Sequence, residues 1–90
     1  MTLNDIIEQH LGLWWTEKSK AAAQQHCSAE QFLQIEQICQ FAIQHDVWRQ
    51  GSYSTACVKI SDEILAAFPH LSKNAVTRIA KMAAFQHREA

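Results

Sequence analysis

The sequence predicts an all-α protein, and three observations carry that reading. Only two glycines and one proline interrupt 90 residues. Strand-like alternation of apolar and polar residues is absent, whereas alanine and glutamine, both compatible with helices, are abundant. Between the breaks, apolar residues recur three and four apart, as they do on one face of a helix. The pattern gives five helices in one compact domain over residues 1–90, with acidic helices over 1–50 and a basic helix pair over 51–90.

The first helix is expected from Leu3 to His10, with Thr2 or Asn4 as its cap and Asp5 favourably placed at the positive helix end. Leu3, Ile6, Ile7 and Leu11 share its apolar face, and Gly12 stops it. Thr16 caps a short second helix through Lys20 and the alanines to about His26. Ser28-Ala29-Glu30-Gln31 has the form of a capping box, in which Ser28 bonds an amide and Gln31 reaches back. It opens what reads as the longest helix, from Ala29 to about Gln50 and closed by Gly51, with Phe32, Ile35, Ile38, Cys39, Ala42, Ile43 and Val47 as a wide apolar stripe. Ser52, Tyr53 and Ser54 read as a loop. A fourth helix starts near Thr55 or Ser61 and ends at Phe68, because Pro69 disfavours helix in the residue before it. Ser72 caps a fifth, from Lys73 to about His87, with Val76, Ile79, Ala80, Met82 and Ala83 facing inward.

A hydrophobic fraction of 48% with 19% charged residues is globular composition. A chain this short gains only marginal stability from its own core, so a dimer, which buries more apolar area, is a reasonable expectation. No run of about 18 apolar residues is present, and the N-terminal residues lack the basic start and apolar core of a signal peptide, so no membrane association is expected. Cys27, Cys39 and Cys57 are an odd number with no CxxC, which fits a reducing, cytoplasmic setting. The net charge of −1 divides unevenly. Residues 1–48 carry two basic against six acidic side chains, and residues 49–90 carry six basic against three acidic ones. Such asymmetry points to a polyanion partner for the basic half.

Catalytic chemistry finds little footing. The five histidines and three cysteines lack the close pairs of zinc sites, so no metal is expected. Cys39 and His45 stand about a turn and two-thirds apart on one helix and do not share a face. Cys39 lies in the apolar stripe, where cysteine behaves as a small hydrophobe. Phosphate loops, paired carboxylates on one helix face and GxSxG turns are missing, and neither an enzyme nor a cofactor is expected. Trp14, Trp15 and Trp48 either seal the ends of a thin core or anchor a partner interface, where tryptophan is enriched.

The informative stretch runs from Leu65 to Ile79. Ala66 is a small residue in the first helix, Leu71 an apolar turn residue, Ser72 a cap, and Val76 and Ile79 an inward pair. This arrangement resembles the helix-turn-helix of bacterial DNA-binding domains. The resemblance departs at the turn, where His70 after Pro69 stands in place of the usual glycine. It implies that the second helix reads double-stranded DNA, leaving Lys73, Asn74, Thr77, Arg78 and Lys81 for groove and phosphate contacts. The positive end of that helix, with free amides, would suit a phosphate. Arg49 and Lys59 would add phosphate contacts from the basic half. The same residue types also suit a plain packing corner between two helices.

Two readings of function follow. One is a small DNA-binding regulatory or accessory protein, with the acidic half forming a homodimer or recruiting a protein partner. The other is a helical protein-interaction module, such as an adaptor, an inhibitor or an immunity-like protein, with no DNA binding.

Overall fold

The computed structural model describes residues 2–12 and 15–89. It contains five α-helices and one 3-10 turn, with no strand among the described residues: α1 (Leu3–His10), α2 (Glu17–Gln24), α3 (Ala29–Gln44), a 3-10 turn (Asp46–Arg49), α4 (Tyr53–Ala67) and α5 (Lys73–Glu89). The all-α expectation holds.

Most helix starts follow from local capping chemistry. The Asp5 amide donates to Thr2 Oγ1 at 3.2 Å and the Thr2 amide to Asp5 Oδ2 at 3.3 Å, so Thr2 and not Asn4 caps α1. Thr16 accepts from the Ser19 amide at the head of α2. Ser28 and Gln31 exchange amide bonds of 3.1 and 3.0 Å at the head of α3. Ser72 Oγ accepts from the Ala75 amide at the head of α5.

Two boundaries differ from the sequence expectation. The third helix stops at Gln44 and does not continue to Gln50. His45 Nδ1 accepts from the Val47 amide at 3.0 Å, and the Trp48 indole donates to the Ala42 carbonyl at 2.7 Å. These side chains take groups that a continuing helix would use, so the chain tightens into the 3-10 turn. Gly51, at φ +75°, ends that turn in a conformation open to glycine. The residues 52–54 are not a loop throughout: Ser52 Oγ accepts from the Thr55 amide at 3.2 Å, and α4 begins at Tyr53. With 17 residues, α5 is one residue longer than α3.

The core is aliphatic. Ile6, Ile7 and Leu11 come from the α1 end, Ile35 and Ile38 from α3, Ile60 and Ile64 from α4, and Ile79 and Met82 from α5, all essentially without solvent contact. Each such burial stabilises the fold by roughly 1.5–3 kcal/mol. The helix α5 packs against α1, α3 and α4, and so occupies the middle of the bundle. Its buried residues, Ala75, Val76, Ile79, Ala80, Met82 and Ala83, cover one side and leave a polar stripe outside.

Candidate nucleic-acid interface

The outer stripe of α5 collects five of the sequence-predicted contact residues: Lys73, Asn74, Thr77, Arg78 and Lys81 are all exposed. Their spacing of three and four puts them on one face. Thr77 Oγ1 donates to the Lys73 carbonyl at 2.9 Å, and its oxygen can still accept a bond. Arg78 Nη1 donates to the Leu11 carbonyl at 3.2 Å, just beyond the C-terminal end of α1. That bond holds the guanidinium over α1 and leaves its other N–H groups for a ligand. Lys73 and Lys81 make no ion pair among the described residues.

A groove of about 440 Å³ runs between α1 and α5. Glu8, Leu11 and Gly12 form one wall, and Asn74, Thr77, Arg78 and Lys81 the other. One carboxylate thus faces two cations across it. Arg49 and Lys59 are exposed but stand on other elements, at the end of the 3-10 turn and on α4.

The head of α5 differs from expectation. The Ser72 hydroxyl, which caps Ala75, donates to Glu8 Oε1 at 3.2 Å, and the Ser72 amide donates to Asn4 Oδ1 at 2.8 Å. Asn4 Nδ2 also donates to the His70 carbonyl at 3.2 Å, so one amide side chain clasps both sides of the α4–α5 turn. The Ser72 and Ala75 amides are therefore taken, and Glu8 already places negative charge at the positive helix end. Cationic groups with no carboxylate within ion-pair distance among the described residues lie about one and a half to two turns further along, at Arg78 and Lys81. Asn4 and Glu8 are the site residues that sequence reasoning missed. Each lies more than 60 residues from its partner, and no local pattern marks such a pair.

Among the residues of the helix-turn-helix resemblance, Leu71, Val76 and Ile79 are buried and Ser72 caps. Ala66 is exposed, because α4 turns Ala56, Ile60 and Ile64 inward and residue 66 lies on the far side of that stripe. The turn spans Phe68 to Ser72, with the Leu71 amide on the Phe68 carbonyl, and His70 keeps a negative φ.

No protein-family model matches the chain, and no curated protein or solved structure does either.

Two tryptophans face inward. Trp15 is half-buried, with its indole N–H on Glu36 Oε1 at 2.6 Å and its ring against Phe32. Lys20 Nζ reaches the other Glu36 oxygen at 3.6 Å. Trp48 stacks on the His87 ring at 4.4 Å while its N–H holds Ala42. Trp14 lies outside the described residues. Cys27, Cys39 and Cys57 are all free thiols. Burial, aided by the nearby Glu36 charge, pushes the Cys39 thiol up to about 12, so it stays protonated and inert in neutral solution.

Proposed function

We propose that the chain is a small, non-catalytic DNA-binding regulatory or accessory protein that contacts double-stranded DNA with the outer face of α5. One observation carries the reading: Lys73, Asn74, Thr77, Arg78 and Lys81 form a single exposed stripe on the best-anchored helix of the bundle. The three cations supply phosphate attraction, and Asn74 and Thr77 have the chemistry to meet base edges or phosphates. Arg49 and Lys59 stand off this face, on the 3-10 turn and on α4, and are not counted among its phosphate contacts. The three unpaired cysteines support a reducing, cytoplasmic setting, and no described helix is long and apolar enough to cross a membrane.

Titrating fluorescently labelled duplex DNA at several salt concentrations, with anisotropy as readout, tests this. Three phosphate contacts predict that log affinity falls with log salt at a slope of about −2.7 for each bound copy. Absence of binding at low salt and tens of micromolar protein would refute the assignment.

A second reading, a helical protein-interaction module without DNA binding, is favoured by Val58, Leu65 and Leu33, which are exposed large apolar side chains. Trp15 and Trp48 contribute less to it, since their polar atoms are bonded within the chain.

A further inference from the structure

The outward face of α4 is apolar where solvent should meet a helix. Val58 is 72% exposed and Leu65 45% exposed, the former more than any other large apolar side chain described. Seven residues separate them, close to two turns, so they lie on one stripe opposite Ala56, Ile60 and Ile64. Ser54, Ser61 and Ala66 border that stripe, and side chains this small let another helix come close. The two flanks differ. One carries Lys59 and Asp62, three residues apart and both exposed; the other carries Ser54 and Ser61.

We propose that this face is the seam of a homodimer, in which a second copy of the chain lays its own α4 antiparallel across the first. The charge pattern selects the orientation. In a two-fold antiparallel pair like flanks meet, so Lys59 of each copy faces Asp62 of the other, twice over. In a parallel pair unlike flanks meet, and each charged pair would face serine. With the two-fold axis at Ser61, Val58 and the other copy's Leu65, and Lys59 and the other copy's Asp62, each lie about 1.5 Å from level, an offset that the side chains can span. Glu63 is not needed for the seam, since it pairs with His45 Nε2 of its own chain at 3.4 Å. The seam is short. Fifteen residues make a helix of about 22 Å, which puts the seam at the low end of specific interfaces, so association is weak and reversible.

The placement of α5 gives the dimer a consequence. Tyr53 donates to the Ala84 carbonyl, tying α5 to α4 on the flank away from Lys59 and Glu63. Because like flanks meet, both copies of α5 lie on the same side of the dimer. This consequence, unlike the dimer itself, depends on the DNA-binding reading, and would place two readers on one duplex.

Sedimentation velocity without DNA, from low to several hundred micromolar protein, tests the seam. The wild-type chain should pass from monomer to dimer. The doubly substituted Val58→Glu, Leu65→Glu chain should stay monomeric throughout while its far-ultraviolet circular dichroism is unchanged, since both side chains are exposed. Lys59→Asp and Asp62→Lys should each weaken the dimer several-fold, and the combined swap should restore it. A wild-type chain that stays monomeric, a dimer that survives the double glutamate substitution, or a combined swap no tighter than either single one would overturn the proposal. The readout contains no nucleic acid and leaves α5 untouched, so its failure is separable from failure of the DNA-binding reading.

Discussion

The tryptophans of the acidic half and the polar stripe of the basic half are both built from residue types that partners favour, yet the fold treats them in opposite ways. Trp15 and Trp48 turn their indole N–H groups onto Glu36 and the Ala42 carbonyl and lay their rings on Phe32 and His87. Lys73, Asn74, Thr77, Arg78 and Lys81 stay outside, because the inward side of α5 is filled by alanine, valine, isoleucine and methionine. What separates the regions is the supply of internal partners. A tryptophan with an acceptor within reach becomes mortar, and its large apolar area then stabilises the fold. A lysine without an internal carboxylate keeps its hydration and remains available to an external anion.

The largest effect that would break this comparison is expected at Trp48. Trp48→Ala removes a half-buried ring and orphans the carbonyl at the end of α3, and should cost roughly 2–4 kcal/mol. Urea unfolding followed by circular dichroism measures it. A change below about 0.5 kcal/mol, as at an ordinary surface position, would return Trp48 to the role of surface anchor.

The cysteines sharpen the contrast between inside and outside. Cys39 has its folded pKa raised from 9.0 to about 12, so above pH 9 the unfolded chain releases a proton that the folded chain keeps. Stability from this group is fully present below pH 9 and falls with rising pH, by about 1.4 kcal/mol per pH unit at most, until the folded thiol ionises. Cys39→Ala should remove that slope, compared by denaturant unfolding at pH 8 and pH 10 (roughly one unit either side of the unfolded thiol's value). An unaltered slope would mean the thiol is not buried as described.

Much of the fold was legible in the sequence because caps and stripes are local. Thr16, Ser28 and Ser72 act within three residues of themselves, and the spacing of Ile35, Ile38, Cys39 and Ala42 states the buried face directly. The stop at His45 was not legible, since Val47 continues the apolar stripe and is buried as a helix would bury it. Only the bonds made by His45 and Trp48 break the helix there. Ser52-Tyr53-Ser54 has the composition of a loop, and the cap role of Ser52 shows only once Thr55 is in place. Of the candidate site, the α5 stripe was legible from its period. The wall opposite was not, because Asn4 and Glu8 meet Ser72 only after α1 has packed across α5.

That clasp offers a further stability test of comparable size. Asn4→Ala removes two bonds to the α4–α5 turn and should cost about 1–2 kcal/mol while leaving the stripe itself unchanged. Hydrogen exchange at the Ser72 amide should speed up more than at the Ile79 amide. Equal protection at both positions would mean that α1 does not steady the head of α5.

The outer face of α5 is proposed to bind DNA while its inner face holds the fold. Anisotropy titration of labelled duplex with the Lys73→Ala, Arg78→Ala chain, alongside the wild type at the same salt, tests it most directly. The substituted chain is expected to stay folded, destabilised by no more than about 1.5 kcal/mol through loss of the Arg78 bond to the Leu11 carbonyl, yet to lose at least tenfold in DNA affinity, with a salt slope shallower by about two. Equal affinity and equal slope in a folded double variant would contradict it and leave α5 as scaffold alone.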